Sequence, residues 1–159
     1  MLCDMGKPAD RWRRAVQALV LVAALVLGMS GCKSDQEKYC DAVKGHQQKL
    51  GEVLADGSPA ALLEALPIFR DLADDAPEDI RGDWKVVVDA IQGLQDALDD
   101  ADVDPATYDR DHPPAGLSRA DKDAIDAAAG VLGSQDTQTS FNAVDQEAKD
   151  VCGTPLQLG

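Results

Sequence analysis

From Ser34 onward the apolar residues recur at gaps of three and four, the spacing of one face of an α-helix, and nowhere does a period of two persist over a useful length. Tyr39, Val43, His46, Leu50 and Val53 form the first stripe. Ahead of it, Ser34-Asp35-Gln36-Glu37 has the form of a capping box, with Ser34 as N-cap and Glu37 three residues on. This helix should end near Asp56-Gly57, because glycine enters the left-handed conformation of a C-terminal cap at no steric cost. Ser58-Pro59 then reads as an N-cap followed by proline at the first helical position, opening a second helical segment with Leu62, Leu63, Leu66, Phe69 and Leu72 on one side. Pro67 removes a backbone donor and crowds the preceding turn, so a kink or two short helices are expected there.

The strongest stripe is Ile80, Trp84, Val87, Ile91, Leu94 and Leu98, the predicted spine of the core. Glu78 and Asp79 are read as its first turn, where carboxylates complement the positive end of the helix dipole. Asp99 to Gly116, with Pro105, Pro113 and Pro114, is predicted as the long loop, holding at most one helical turn at Asp104-Pro105-Ala106-Thr107-Tyr108. Ser118 caps a further helix with Ile125, Ala128 and Leu132 inward; Gly133-Ser134 makes a tight turn; a last helix carries Phe141, Val144, Ala148 and Val151 inward until Gly153 and Pro155 stop it. The expected fold is all-α, a four- to five-helix antiparallel bundle over residues 35–155, with the short connections at Gly57 and Gly133 favouring adjacent antiparallel pairs.

The first 31 residues have a different pattern. Arg11, Arg13 and Arg14 precede an apolar run, Ala15 to Leu27, broken only by Gln17, and small residues Ser30 and Gly31 stand before Cys32. That order is a cleaved secretory signal segment, 1–31. The run is shorter than the roughly 20 residues of a spanning helix, and polar Lys33-Ser34-Asp35 follows at once; an uncleaved membrane anchor is the competing reading. Leu27-Gly28-Met29-Ser30-Gly31-Cys32 resembles the lipobox of bacterial lipoproteins, with Met29 where that family usually has Leu. The resemblance implies that Cys32 is lipidated and becomes the mature N-terminus, with 32–34 as a short tether and the domain held on the extracytoplasmic face of the cell membrane. Acyl chains contribute about 0.8 kcal/mol per buried methylene, so two or more anchor a domain firmly. Arg13-Arg14 hints at twin-arginine export, but Ala15-Val16-Gln17 fits that pattern halfway, and general secretion is the expected route.

With Cys3 lost in the leader and Cys32 carrying lipid, Cys40 and Cys152 remain. Outside the cytosol such a pair should oxidise to a disulfide joining the two ends of the domain, the competing reading being two buried free thiols. Charge separates along with the leader. Of 15 basic and 29 acidic residues, four basic (Lys7, Arg11, Arg13, Arg14) and two acidic (Asp4, Asp10) precede Cys32, which leaves 11 and 27 and a net charge of −16. A surface of that sign repels nucleic acid and anionic lipid headgroups.

The chemistry-bearing residues form few constellations. Four of the five mature serines, Ser34, Ser58, Ser118 and Ser134, stand at predicted N-caps, and Ser140 lies in no glycine-rich elbow. His46 falls on an apolar stripe and His112 in the proline-rich loop, without ligand spacing, and all three methionines lie in the leader, so no zinc, copper or other cofactor is implied. Asp100, Asp102 and Asp104, with Asp109 and Asp111 beyond, are the only candidates for metal ligation. An EF-hand loop needs Gly where Pro105 stands and Glu where Asp111 stands, so a divalent cation on the acidic 99–111 loop is a weak expectation.

Tyr39-Cys40 with Val43 and His46-Gln47, Ala65-Leu66-Pro67-Ile68-Phe69-Arg70-Asp71-Leu72 with Ala76-Pro77, Asp104-Pro105-Ala106-Thr107-Tyr108, and Val151-Cys152-Gly153-Thr154-Pro155 together resemble a group of small uncharacterised lipoproteins of high-GC Gram-positive bacteria. The resemblance spans nearly the whole mature domain; it implies location and fold and supplies no catalytic residue. The expected function is a non-enzymatic binding or scaffold module, displayed at the membrane for an envelope protein or a small ligand. The alternative is a divalent-cation-binding envelope protein.

Overall fold

The computed structural model describes residues 33–55 and 57–156; the expected signal segment and the expected lipidation site, Cys32, lie outside them. Among the described residues there are five helices and no strand: α1 (Asp35–Leu54), α2 (Pro59–Asp74), α3 (Arg81–Asp100), α4 (Arg119–Leu132) and α5 (Gln135–Val151). The chain is an all-α bundle, as its periodicity predicts. None of these helices is long and apolar enough to cross a membrane.

The predicted caps form. Ser34 and Glu37 make the reciprocal capping box of α1, and Ser58, Ser118 and Ser134 each accept a hydrogen bond from the backbone N–H three residues on. Two helices depart from expectation. α2 runs unbroken across Pro67, which sits on its exposed face while Leu63, Leu66, Phe69 and Leu72 are buried opposite. The lost hydrogen bond is therefore on the solvent side, where water can satisfy the freed carbonyl, and the packed stripe holds the helix together. α3 begins at Arg81, later than predicted. Glu78 and Asp79 lie in a preceding turn closed by Ile80 and Arg81 N–H groups on the Pro77 carbonyl, at 3.2 and 3.1 Å, and Asp83 is the carboxylate in the true first turn.

α3 is the central element, packed against α2, α4 and α5, while α1 packs mainly on α2. The short Gly133-Ser134 connection does not produce the expected side-by-side pair: α4 and α5 touch each other little and each buries its stripe on α3. On α5 that stripe is Thr137, Ser140, Val144, Ala148 and then Cys152, all buried, whereas Val151 turns outward. Ser140 enters the interior by donating to Asp83 Oδ1 at 2.8 Å.

The core is built on aromatic contacts. Trp84 has no exposed surface, its indole N–H donates to the Tyr39 hydroxyl at 3.1 Å, and its ring lies 6.5 Å from Tyr39 and 5.9 Å from Phe69; Phe69 in turn meets Phe141 edge-on at 5.9 Å. Four helices thereby converge on one cluster. Burial pushes the Tyr39 phenol up to about 12, the hydrogen bond from Trp84 acting in the opposite direction.

A disulfide between Cys40 and Cys152 joins α1 to the end of α5, with Cα atoms 5.0 Å apart and a sequence separation of 112. The left-handed backbone of Gly153 (φ +70°) then turns the tail back along α1, where the Gln47 amide donates to the Thr154 hydroxyl and, at 2.7 Å, to the Pro155 carbonyl. A bridge closing so long a loop restricts the unfolded chain strongly. Replacing both cysteines by alanine is expected to lower unfolding free energy by about 2–4 kcal/mol in urea titration, without loss of helical circular dichroism; an unchanged midpoint would show that the bridge is dispensable.

Candidate functional site

The loop after α3 covers an opening in the apolar interior of the bundle. α3 ends in a Schellman arrangement: Asp102 is left-handed (φ +53°), its N–H bonds to the Asp99 carbonyl at 3.0 Å, and the Val103 N–H reaches back to the Leu98 carbonyl at 2.9 Å. Aspartate is among the non-glycine residues that tolerate this conformation best. The predicted turn comes next, with Thr107 and Tyr108 N–H groups bonded to the Asp104 carbonyl and the Asp104 carboxylate accepting from Ala106 N–H at 2.9 Å. These bonds place Pro105, Ala106 and Tyr108 over a gap between α2, α3 and α4.

The result is a cavity of about 700 Å³, walled by Leu63, Leu94, Leu98, Ile125, Ala129 and Leu132. Its polar lining residues are Ser58, Tyr108, Arg110 and Asp126. The Tyr108 hydroxyl oxygen is buried and has no hydrogen-bond partner. Lys122 donates to Asp126 Oδ2 at 2.9 Å, one helical turn away, and Arg110 Nε lies 2.8 Å from Asp126 Oδ1, so the carboxylate is ion-paired at both oxygens. The Asp126 carboxyl is held below its ordinary 3.8, first by the Lys122 hydrogen bond and in part by Arg110, while the Lys122 ammonium is held above its ordinary value by the same carboxylate. On a domain so acidic, two cations gathered around one carboxylate make a local exception.

The candidates singled out from sequence lie elsewhere. Asp100, Asp102 and Asp104 are exposed; Asp102 serves as the left-handed cap of α3 and Asp104 as the cap of the loop turn, and they do not converge. Asp109 accepts from Asp111 N–H at 2.8 Å and pairs with His112 at 3.0 Å. Among the described residues no three His, Cys, Asp or Glu side chains are grouped to hold a metal ion, so the cation reading has no assembled ligand set. His46 is half-buried, 3.7 Å from Asp71, and distant in sequence and element from His112. Four serines cap helices and Ser140 bonds to Asp83. Cys40 and Cys152 are joined, and Cys32 is outside the described residues.

What sequence reasoning missed is the cluster of Tyr108, Arg110, Lys122 and Asp126. Its available signals were an aromatic residue stranded in a polar loop and a Lys-Asp pair spaced by four on α4.

No family model matches the chain, and no curated protein or solved structure shows significant similarity to it.

Arg110 fastens the loop to α4 at a side chain that is itself 65% exposed. Arg110→Ala is expected to leave the fold intact while raising amide hydrogen exchange selectively in residues 104–111. The Asp126 contribution tracks its depressed carboxyl: it is complete above the ordinary carboxylate range and lost as pH falls through the depressed value, so exchange in the same segment should rise in acid. Unchanged exchange in both conditions would contradict the fastening role.

Proposed function

We propose that this chain is an extracytoplasmic lipoprotein, held on the membrane by lipid at Cys32, whose helical domain is a non-enzymatic binding module taking a small molecule into the cavity beneath Tyr108. The observation that carries the binding half is the cavity itself: about 700 Å³ and lined mostly by apolar side chains, with Ser58, Tyr108, Arg110 and Asp126 as its polar residues. Pockets of roughly 300–1,000 Å³ with a mostly apolar lining and a few polar groups are the usual form of small-molecule sites. The address rests on the leader, the resemblance of residues 27–32 to a lipobox, and the fit of a disulfide to an oxidising compartment.

The two halves fit together physically. With lipid on Cys32, only Lys33 and Ser34 separate the anchor from the first residue of α1, a reach of roughly 10 Å even when extended. The beginning of α1 then stays close to the bilayer surface. An acidic face cannot adhere to anionic headgroups by charge, so the lipid is the membrane attachment this reading requires.

Intact mass of the protein extracted from its membrane tests the address. The expected species begins at Cys32 and carries a diacylglyceryl adduct. A chain that retains Met1, or one recovered from the cytosol, contradicts the anchoring half.

A further inference from the structure

We infer that the anchored domain stands with its cavity at the membrane-distal end, so that the site serves a water-borne apolar solute and is out of reach of lipids that stay in the bilayer. This rests on the lipoprotein and binding readings and specifies the source from which that same cavity draws its ligand.

The topology separates anchor and cavity by the length of α1. Ser34 caps that helix two residues after Cys32. Gathered at this end are the disulfide, the end of α5 and, through the hydrogen bond from Trp84 to Tyr39, the beginning of α3. The 20 residues of α1, Asp35–Leu54, extend about 30 Å away from it. The turn at Gly57 then brings Ser58 and, in α2, Ala60 and Leu63 to the cavity, where Leu98 arrives from the far end of α3. The hydrocarbon of one leaflet is about 15 Å deep, so a lipid would have to leave the bilayer altogether to cross that distance.

Charge acts in the same direction. The stretches nearer the anchor, residues 33–44, 70–85 and 145–152, hold seven basic and 12 acidic residues, a net −5. Those at the cavity end, residues 49–64 and 96–111, hold two basic and ten acidic residues, a net −8. An anionic bilayer therefore repels the cavity end more strongly. Its field fades within about 10 Å, so tilting the acidic end down to the surface costs energy that the upright domain avoids. The tether of Lys33 and Ser34 keeps the beginning of α1 at the surface in either posture.

The experiment uses the protein extracted from its own membrane, with fluorotyrosine incorporated, in nanodiscs of phosphatidylcholine and phosphatidylglycerol. The sequence has two tyrosines, and they mark the two ends: Tyr39 in the second turn of α1 and Tyr108 on the cavity. Tyr108→Phe assigns the two fluorine resonances. A gadolinium-chelate lipid broadens each with the inverse sixth power of its distance. Tyr39 is expected to lose its signal, while Tyr108 keeps the width it has beside the diamagnetic lanthanum lipid. With a diazirine-bearing phosphatidylcholine in the discs, photolabel should be absent from the peptides containing Leu63, Leu98 and Ile125, whereas cyclohexanol added to the water should move the Tyr108 resonance saturably and leave Tyr39 in place. Broadening of Tyr108 as strong as that of Tyr39, or photolabel in those peptides, overturns the upright placement while the anchor stands. Protein that fails to stay with the discs, both resonances unbroadened, overturns the anchoring reading as well. No Tyr108 response to cyclohexanol counts against the cavity reading and the claimed ligand source, independently of the broadening.

Discussion

The indole of Trp84 can be buried only if its ring is packed on every side and its N–H finds an acceptor. Tyr39 supplies that acceptor from α1, Phe69 packs from α2, and Phe141 extends the cluster to α5. A buried tryptophan N–H without a partner carries the full penalty of desolvation, so the position of α1 is tied to that of α3 by one hydrogen bond as well as by apolar area. The remaining helices arrange themselves around this constraint. α4 and α5, although separated by only two residues, do not pair with each other because each finds its apolar partner on α3. The disulfide then fixes the end of α5 to α1, closing at the periphery what Trp84 closes at the centre.

Five aromatic residues lie beyond Lys33, and four of them form that core cluster; Tyr108 is the fifth. Its separation from the others makes its role distinctive. It is delivered by a loop whose geometry is set by two aspartates acting on the backbone, Asp102 through a left-handed cap and Asp104 through its carboxylate. Residues that look like metal ligands in a linear reading are thus spent on shaping the loop, and the acidity of the segment comes from turn chemistry. The loop brings to the cavity wall a phenol whose hydroxyl is buried without a hydrogen-bond partner.

Much of the fold can be read in the chain. Serine caps, the α3 stripe and the turn at Asp104–Tyr108 are local, and local rules govern them. Where the linear pattern misleads, a tertiary preference prevails. Pro67 faces solvent, so helix α2 continues across it; the periodicity of α5 extends through Thr137 and Ser140, polar residues that enter the core because Val131 and Asp83 offer hydrogen bonds. The candidate site is invisible in the sequence for the same reason. Tyr108 and Arg110 belong to a loop, Leu63 to α2, Leu94 to α3 and Asp126 to α4, and only the packing of three helices makes them neighbours. No spacing rule connects residues that meet across such distances in sequence.

That a small molecule occupies the cavity beneath Tyr108 is the central claim. It is tested most directly by releasing the protein from its native membrane, extracting it with organic solvent, and identifying by mass spectrometry the small molecules that accompany it, with the cavity-filled Ala129→Phe protein prepared in parallel. A small molecule with a largely apolar body is expected at close to one per protein chain, absent from the filled variant. Equal recovery of the same molecules from both proteins would contradict it.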